Sequence, residues 1–333
     1  MSNFWRISTL GMALLGLFPM SVAAQAEAEP WSLPRTAAGL PDLNGVWDFR
    51  TITPMQRPEG LEEKAVLTEE EAATLEEKTA RERVDKAPPP GQTGTYNRFW
   101  VDYGTNVVGS RRTSLIVDPP DGRIPALTGT AAEKVAAERR ARRGVDGHAP
   151  TPGGWVEDLG SNGLQVRCLL GLNAGPPMAP GPYNNFVQLF QTDDHVALLN
   201  EMNHDVRVIP LDGRAHVGDE IRQWMGDSRG YWDGDTLVVE TRNFLRETSF
   251  RSGLTDENLS LVERFTLSAP DTMDYEVTVM DPTVWTTAWT YQIPMARGDL
   301  PLYEYACHEG NYAMANILEG ARIAEAAEEA ASR

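Results

Sequence analysis

The second half of the chain consists of short segments rich in β-branched and aromatic residues, with no helical pattern between them. The dipeptide Asp233-Gly234 joins two of these segments and is typical of a tight β-hairpin. Strands that follow one another in this way predict an antiparallel sheet. We therefore expect a mainly β fold, a lipocalin-like antiparallel barrel or sandwich with peripheral helices. The predicted strands of this half span 186–191, 196–199, 206–209, 236–241, 259–267, 274–279 and 289–293.

The helices predicted from the sequence lie outside these strands. Thr68 with Glu71, and Thr130 with Glu133, fit the capping box in which a threonine and a glutamate satisfy the first backbone amides of a helix. An Ala- and Glu-rich stretch closes the chain and predicts one more helix. The elements predicted outside the β-rich half are a strand at 43–49, a helix at 68–86, a strand at 112–117, a helix at 130–143 and a helix at 312–331.

The N-terminus predicts an exported protein. Residues 1–26 contain a basic residue, an apolar run at 9–24 and a small-residue cleavage site at 24–26, the three parts of a secretory signal. The alternative is a retained membrane anchor, which needs roughly 20 apolar residues. We expect cleavage, which leaves an arm at 27–43 and a single β-rich domain at 44–333. The expected location is periplasmic, with no stable membrane insertion.

The chain has two cysteines, Cys168 and Cys307. In an oxidising compartment a lone pair of cysteines is most simply one disulfide. Its loop would tie the middle of the chain to its C-terminal part and contribute about 4–5 kcal/mol in the chain-entropy model. The alternative is that one cysteine is a catalytic thiol.

The charge of the chain narrows the classes of partner. There are 48 acidic against 30 basic residues, a net charge of −18. Nucleic-acid binding needs a basic surface that displaces counterions, so we expect no nucleic-acid partner. Nucleotide-binding loops, the serine-hydrolase elbow and the zinc-protease motif are absent from the sequence. A small-molecule substrate is the expected partner, and a homo-oligomer is compatible with the sequence.

Two polar clusters stand out as candidate sites. The first is 201–207, where His204 lies among acidic residues and can act as an acid or base near neutral pH. The second is 303–312, where a disulfide at Cys307 would fix His308 in place. The alternatives are a solvated hairpin turn for the first cluster and a capped helix start for the second. Together the clusters offer metal ligands from distant segments, which are Glu201, His204, Asp205, His308 and Glu309.

A third candidate is a carboxylate on an apolar strand face. In the strand at 259–267, Glu263 alternates with Leu261 and Phe265 and should face the interior. A buried carboxylate must be paired, or titrate abnormally, or line a cavity. Arg112 and Arg207 are the candidate partners, and a purely structural ion pair is the alternative.

Several stretches together carry a resemblance to a known family. They are 111–125, 168–191, 201–213, GDSRGYWDGDTLVVET at 226–241 and YEYACHEGN at 303–311. The chain resembles a large family of exported bacterial proteins with a GDSRGxWxGDTLVVET signature, over roughly residues 40–322. It also resembles lyases that act on lignin-derived phenylcoumaran dimers and remove a side-chain carbon without a cofactor.

These observations favour an enzyme, a cofactor-independent lyase or isomerase that acts on a small, partly aromatic substrate. The alternatives are a lipocalin-like protein that binds an apolar small molecule and a metal-dependent enzyme that uses the His and carboxylate clusters. The residues predicted to act as acids, bases or proton carriers are His204, His308, Tyr183, Tyr305 and Glu263. The residues predicted to bind the substrate are Arg112, Arg207, Asn184, Gln191 and Asn311.

Overall fold

The structure is a computed structural model that describes residues 31–83, 101–141, 161–171, 173–245, 248, 255 and 257–333. The chain divides after residue 32, and the unit from 33 to 333 holds the fold described below. The predicted signal at 1–26 lies outside the described residues. Every helix in the described ranges is too short or too polar to traverse a lipid bilayer.

The fold is mainly β, as predicted. The strands are β1 Gly45–Asp48, β2 Ile116–Asp118, β3 Phe186–Gln191, β4 His195–Asn200, β5 Val206–Pro210, β6 Asp227–Asp233, β7 Thr236–Arg242, β8 Ser260–Ala269, β9 Thr272–Met280 and β10 Trp289–Gly298. The helices are α1 Glu69–Glu82, α2 Gly129–Ala141, α3 Ser161–Val166 and α4 Tyr312–Ala331.

All ten strands belong to one antiparallel sheet. Their order is β5-β4-β3-β1-β10-β9-β8-β7-β6, with β2 pairing beside β10. The two edge strands of the sheet lie close together. A Cβ atom built on Gly230 of β6 would lie only 2.9 Å from the Ile209 side chain of β5, which shows that the sheet is curled. No ladder joins β5 to β6 in the described chain, so the barrel-like sheet is open along this line.

The inner face of the sheet is filled with side chains. Along β8, β9 and β10, buried residues alternate with half-buried ones, the period expected of strands with one face in a core. Large aromatic rings such as Trp47, Trp289 and Tyr291 are fully buried. Among the described residues, these side chains pack into one buried core.

The helix and strand predictions hold with local corrections. Thr68 and Glu71 form the predicted capping box of α1, whose predicted last residues lie outside the described ranges. The cap of α2 was predicted wrongly, since Thr128 rather than Thr130 accepts a hydrogen bond from the Ala131 amide, at 3.2 Å. The strand predicted at 112–117 is shorter, because the amides of Thr113 and Leu115 donate to the carbonyls of Ala65 and Pro54 in the preceding loop. The short helix α3 was not predicted.

Candidate functional site

Several connections meet at one end of the sheet, where β1 and β4 end and β3 and β5 begin. We call the loop at 171–185 and the turn at 201–205 the mouth of the barrel-like sheet. The turn is the first polar cluster predicted from the sequence. The loop carries the Gly- and Pro-rich sequence that follows Cys168.

The loop at 171–185 plugs the interior at this end. Met178 is fully buried, and its amide donates to the Tyr275 hydroxyl at 3.0 Å. The Tyr291 hydroxyl donates to the Met178 carbonyl at 2.6 Å. Tyr275 in turn donates to Glu263 at 2.7 Å. The plug is therefore fixed through main-chain atoms to two strands of the sheet.

Two buried asparagines hold the loop in shape. The Asn173 side chain donates to the carbonyls of Tyr183 and Asn184 and to Asn185 Oδ1, at 2.9–3.0 Å. The Asn185 side chain donates to the Asp102 carbonyl at 3.0 Å and to the Gly181 carbonyl at 2.9 Å. Amides suit this task because each can both donate to and accept from the backbone. Tyr183 and Asn184 are thus set in a rigid frame.

The turn at 201–205 has an unusual backbone. Asn203 and His204 both have positive φ, 58° and 47°, a region that residues with a side chain adopt infrequently. Asn203 is buried, whereas His204 is exposed. The prediction of a hairpin turn for this segment is correct as far as its backbone is concerned. Such backbone outliers cluster at functional sites, which makes the turn a candidate.

Two carboxyls of this turn titrate abnormally. Burial raises the pKa of Asp205 from 3.8 to about 6, although the Gly171 amide, which donates to it at 3.3 Å, and the His204 charge lower that pKa. Burial also raises the pKa of Glu201, and hydrogen bonding by Asn184 opposes the rise. A carboxyl with a pKa near 6 can give and take protons close to neutral pH, the property a general acid or base needs.

A cleft of about 560 Å³ lies beside the disulfide. Cys168 and Cys307 form the predicted bond. The rings of Tyr183 and Tyr305 are nearly parallel, with 6.3 Å between their centroids and 19° between their planes. We call this space the disulfide cleft, and it is lined by Gln165, Val166, Tyr183, Tyr305, Ala306, Cys307, Glu309, Gly310, Asn311 and Ala313.

Hydrogen bonds attach the second predicted cluster to the α3 end of this cleft. Asn311 donates to the Val166 carbonyl at 3.0 Å, and its amide nitrogen lies 3.4 Å from Cys168 Sγ. Asn311 immediately precedes α4 but makes no side-chain cap to it. His308 is exposed at the rim. Asn311 therefore stands at the predicted helix start, but its side chain bonds to the end of α3 instead of capping α4.

The remaining predicted residues do not belong to the mouth, although Glu263 is joined to Met178 of the plug through the Tyr275 hydroxyl. Glu263 is fully buried and pairs with Arg207, which is 6% exposed, so the structural ion-pair alternative describes this pair. Arg112 bonds to Gln292 Oε1 at 2.8 Å on the outer side of β10. Gln191, at the other end of β3, accepts from the Leu43 amide at 2.9 Å and holds the N-terminal segment.

The candidate metal ligands do not assemble. Across the described ranges, no three His, Cys, Asp or Glu side chains are grouped so that they could hold a metal ion. The sequence placed five such residues in two segments, and it carried no information on the distance between those segments. The part of the chain that the structure describes therefore gives the metal-dependent alternative no support.

One pair of residues escaped the sequence reasoning. The His216 side chain is only 11% exposed, and its Nδ1 lies 2.7 Å from Asp227 Oδ2. Arg229 and the Val217 amide also donate to Asp227, at 2.6 and 3.1 Å. The side chains of His216, Asp227 and Arg229 together fix the segment before β6 onto the sheet. Asp227 and Arg229 fall in the GDSRG stretch, which was the available signal.

Searches of protein-family models, curated proteins and solved structures found no match to this chain.

Proposed function

We propose that this protein is a cofactor-independent lyase or isomerase that acts by acid–base chemistry on a small, partly aromatic substrate, such as a lignin-derived dimer, bound in the disulfide cleft. The observation that carries the proposal is the cleft itself, with its two near-parallel phenol rings; the turn with two carboxyls of raised pKa lies outside the cleft lining. Asn184 connects the two parts, since it follows Tyr183 and bonds to Glu201.

The size and lining of the cleft suit such a substrate. Its volume of about 560 Å³ lies within the usual range of small-molecule sites. Tyr183 and Tyr305 offer flat faces for an aromatic ring, and Asn311 and Gln165 offer hydrogen bonds at its edge. Aromatic pairs prefer offset or edge-to-face contacts, which a substrate ring can make with either tyrosine.

The proposed chemistry needs only proton transfers. A carboxylate, Asp205 or Glu201, accepts the phenolic proton of the substrate, and the electron pair of that O–H bond forms a C=O bond to the ring. The benzylic C–O bond of the side chain then breaks, its electron pair leaves with the oxygen, and that oxygen takes the proton back from the carboxyl. No electron acceptor is consumed. His204 is the chain neighbour of Asp205, and His308 lies at the cleft rim.

The test is turnover of a panel of phenolic lignin-type dimers, followed by product absorbance. Tyr305→Phe and Asp205→Asn should lower kcat, the latter by about 100-fold or more, the usual contribution of a general acid or base. Tyr303→Phe is the matched control, because Tyr303 is 67% exposed and does not line the cleft. Turnover that survives Asp205→Asn and Glu201→Gln unchanged would contradict the proposal.

A second candidate is a protein that binds an apolar small molecule. A groove of about 650 Å³ between α1 and the loop after β1 is lined largely by apolar side chains, among them Met55, Leu75, Val101 and Leu115. A binding protein of this kind would use a surface groove, since the interior of the sheet is packed. Tight binding of the dimers without any product would favour this function over catalysis.

We also propose that the protein works outside the cytoplasm. The observed Cys168–Cys307 bond supports this proposal, because structural disulfides persist in oxidising compartments. Fractionation of expressing cells tests it, and recovery of the protein with reduced cysteines in the cytoplasm would contradict it.

A further inference from the structure

A group of side chains at the mouth is buried without hydrogen bonds. Both amide atoms of Asn203 lack a partner among the described residues, although the residue is only 5% exposed. The same is true of Asn200 Oδ1 and Asn173 Oδ1 in residues 2% and 1% exposed, and of Glu201 Oε2. Buried polar atoms nearly always have partners, so an unmatched group of this kind needs an explanation.

These unpaired atoms belong to neighbouring segments. Asn200 ends β4 and Glu201 and Asn203 lie in the turn that follows, where the Glu201 amide donates to the Phe186 carbonyl at 3.0 Å. Asn173 donates to the Asn184 carbonyl at 2.9 Å, and Asn184 also bonds to Glu201. The loop at 171–185 and the turn at 201–205, which carry these unpaired atoms, are therefore in direct contact.

A second asparagine shows that the backbone conformation does not explain why the Asn203 side chain lacks hydrogen bonds. Asn243 has a φ of 62° and is 4% exposed, so it matches Asn203 in both respects. Its amide donates to the carbonyls of Val217 and Gly218, at 3.0 and 3.3 Å. At Asn243 the side chain fixes the fold, whereas at Asn203 the same residue type in the same conformation makes no bond to the protein.

We infer that Asn203, with Asn200 and Glu201, forms a subsite for a neutral aliphatic hydroxyl group of the ligand. Asn203 Nδ2 would donate to the hydroxyl oxygen, and an unpaired acceptor, Oδ1 of Asn203 or Asn200, would accept the hydroxyl proton. A hydroxyl both donates and accepts, which this mixed set requires. An anionic group would face unpaired oxygens and is disfavoured. The inference rests on the proposed function only in taking the ligand to be the substrate.

The test compares two probes that differ by one hydroxyl, 3-(4-hydroxyphenyl)propan-1-ol and 4-propylphenol, by titration calorimetry. The native protein should bind the alcohol about tenfold more tightly, since an analogue that lacks a hydrogen-bonding group leaves buried partners unpaired. Asn203→Gly keeps the positive φ and removes the amide. It should abolish the preference while leaving the affinity for 4-propylphenol unchanged.

Asn243→Gly is the matched control. It should lower Tm, because it removes two hydrogen bonds, and it should keep the preference for the alcohol. Asn203→Gly should not lower Tm, because no bond to the protein is lost. A native protein without preference for the alcohol, including one that binds neither probe, overturns the inference. So does a variant at Asn203 that retains the preference.

Binding and catalysis are separable in this design. A preference for the alcohol that depends on Asn203, together with no turnover of any dimer, supports the hydroxyl subsite and contradicts the lyase proposal. Turnover of dimers without the preference supports the lyase proposal and overturns the subsite.

Discussion

The Arg207–Glu263 ion pair lies in the interior of the sheet, and removing one of its charges tests how dry that interior is. Glu263 is fully buried, and Arg207 donates to both of its oxygens. Glu263→Gln keeps the shape and leaves the guanidinium without its counter-charge. Breaking a buried pair in this way costs about 3–5 kcal/mol, because one charge stays buried and uncompensated. We expect a loss of that size in the free energy of unfolding.

The measurement is urea unfolding at neutral pH with the disulfide intact. Replacing both residues, Arg207→Met with Glu263→Leu, should bring stability back to within about 2 kcal/mol of the native protein, since buried pairs often give no net gain over apolar side chains. The double variant should remain somewhat less stable than the native protein, because the Tyr275 hydroxyl then lacks its acceptor. The burial of Tyr275 and the nearby Glu263 charge raise the pKa of the tyrosine, so it remains a donor.

The adjacent residue supplies the control. Arg264 faces outward and bonds to Asp233 at 2.7 Å, with both side chains substantially exposed. Arg264→Gln should change stability by less than about 1 kcal/mol. If Glu263→Gln lowers the free energy of unfolding by no more than Arg264→Gln does, the reasoning is refuted, because the interior would then be solvated enough to accept a lone guanidinium.

Three further predictions concern the mouth. Asp205 binds its proton more tightly when folded, so its contribution to stability should fall as pH rises from about 4 through about 6, and Asp205→Asn should flatten the unfolding free energy across that window. Cys168→Ala with Cys307→Ala should lower stability by about 4 kcal/mol, given a sequence separation of 139 residues, and an unchanged Tm would contradict this. Tyr291→Phe should cost about 1–3 kcal/mol in chemical unfolding, because the Met178 carbonyl loses its buried donor.

The strands were predictable because apolar and polar residues alternate along them, and this alternation shows which face is buried. Glu263 is the clearest case, since its place between Leu261 and Phe265 predicted an inward carboxylate, and the structure puts it there. Its partner was one of two arginines, and the sequence could not choose between them. Arg207 is the partner because β5 curls round toward β8, a long-range closure that no local pattern encodes.

The site was predictable in part. The cysteines predicted that 303–312 would lie near the loop after Cys168, and the cleft forms there. Arg112 and Gln191 were chosen by residue type, and their distance from the mouth depends on strand order and direction. The unpaired amide of Asn203 was not predictable, because Asn in a turn ordinarily bonds to nearby backbone, as Asn243 does.

The position of β1 sets the order in which the chain can assemble. This strand comes first along the chain, yet it lies in the middle of the sheet, between β3 and β10. Trp47 of β1 pairs with Arg297, close to the end of the last strand, so the two halves of the sheet remain unjoined until nearly the whole chain has been made. Contacts so distant in sequence slow folding, and a nascent chain would expose unpaired strand edges in the meantime. Because of this topology, we expect the unfolded chain to need chaperones until it is complete.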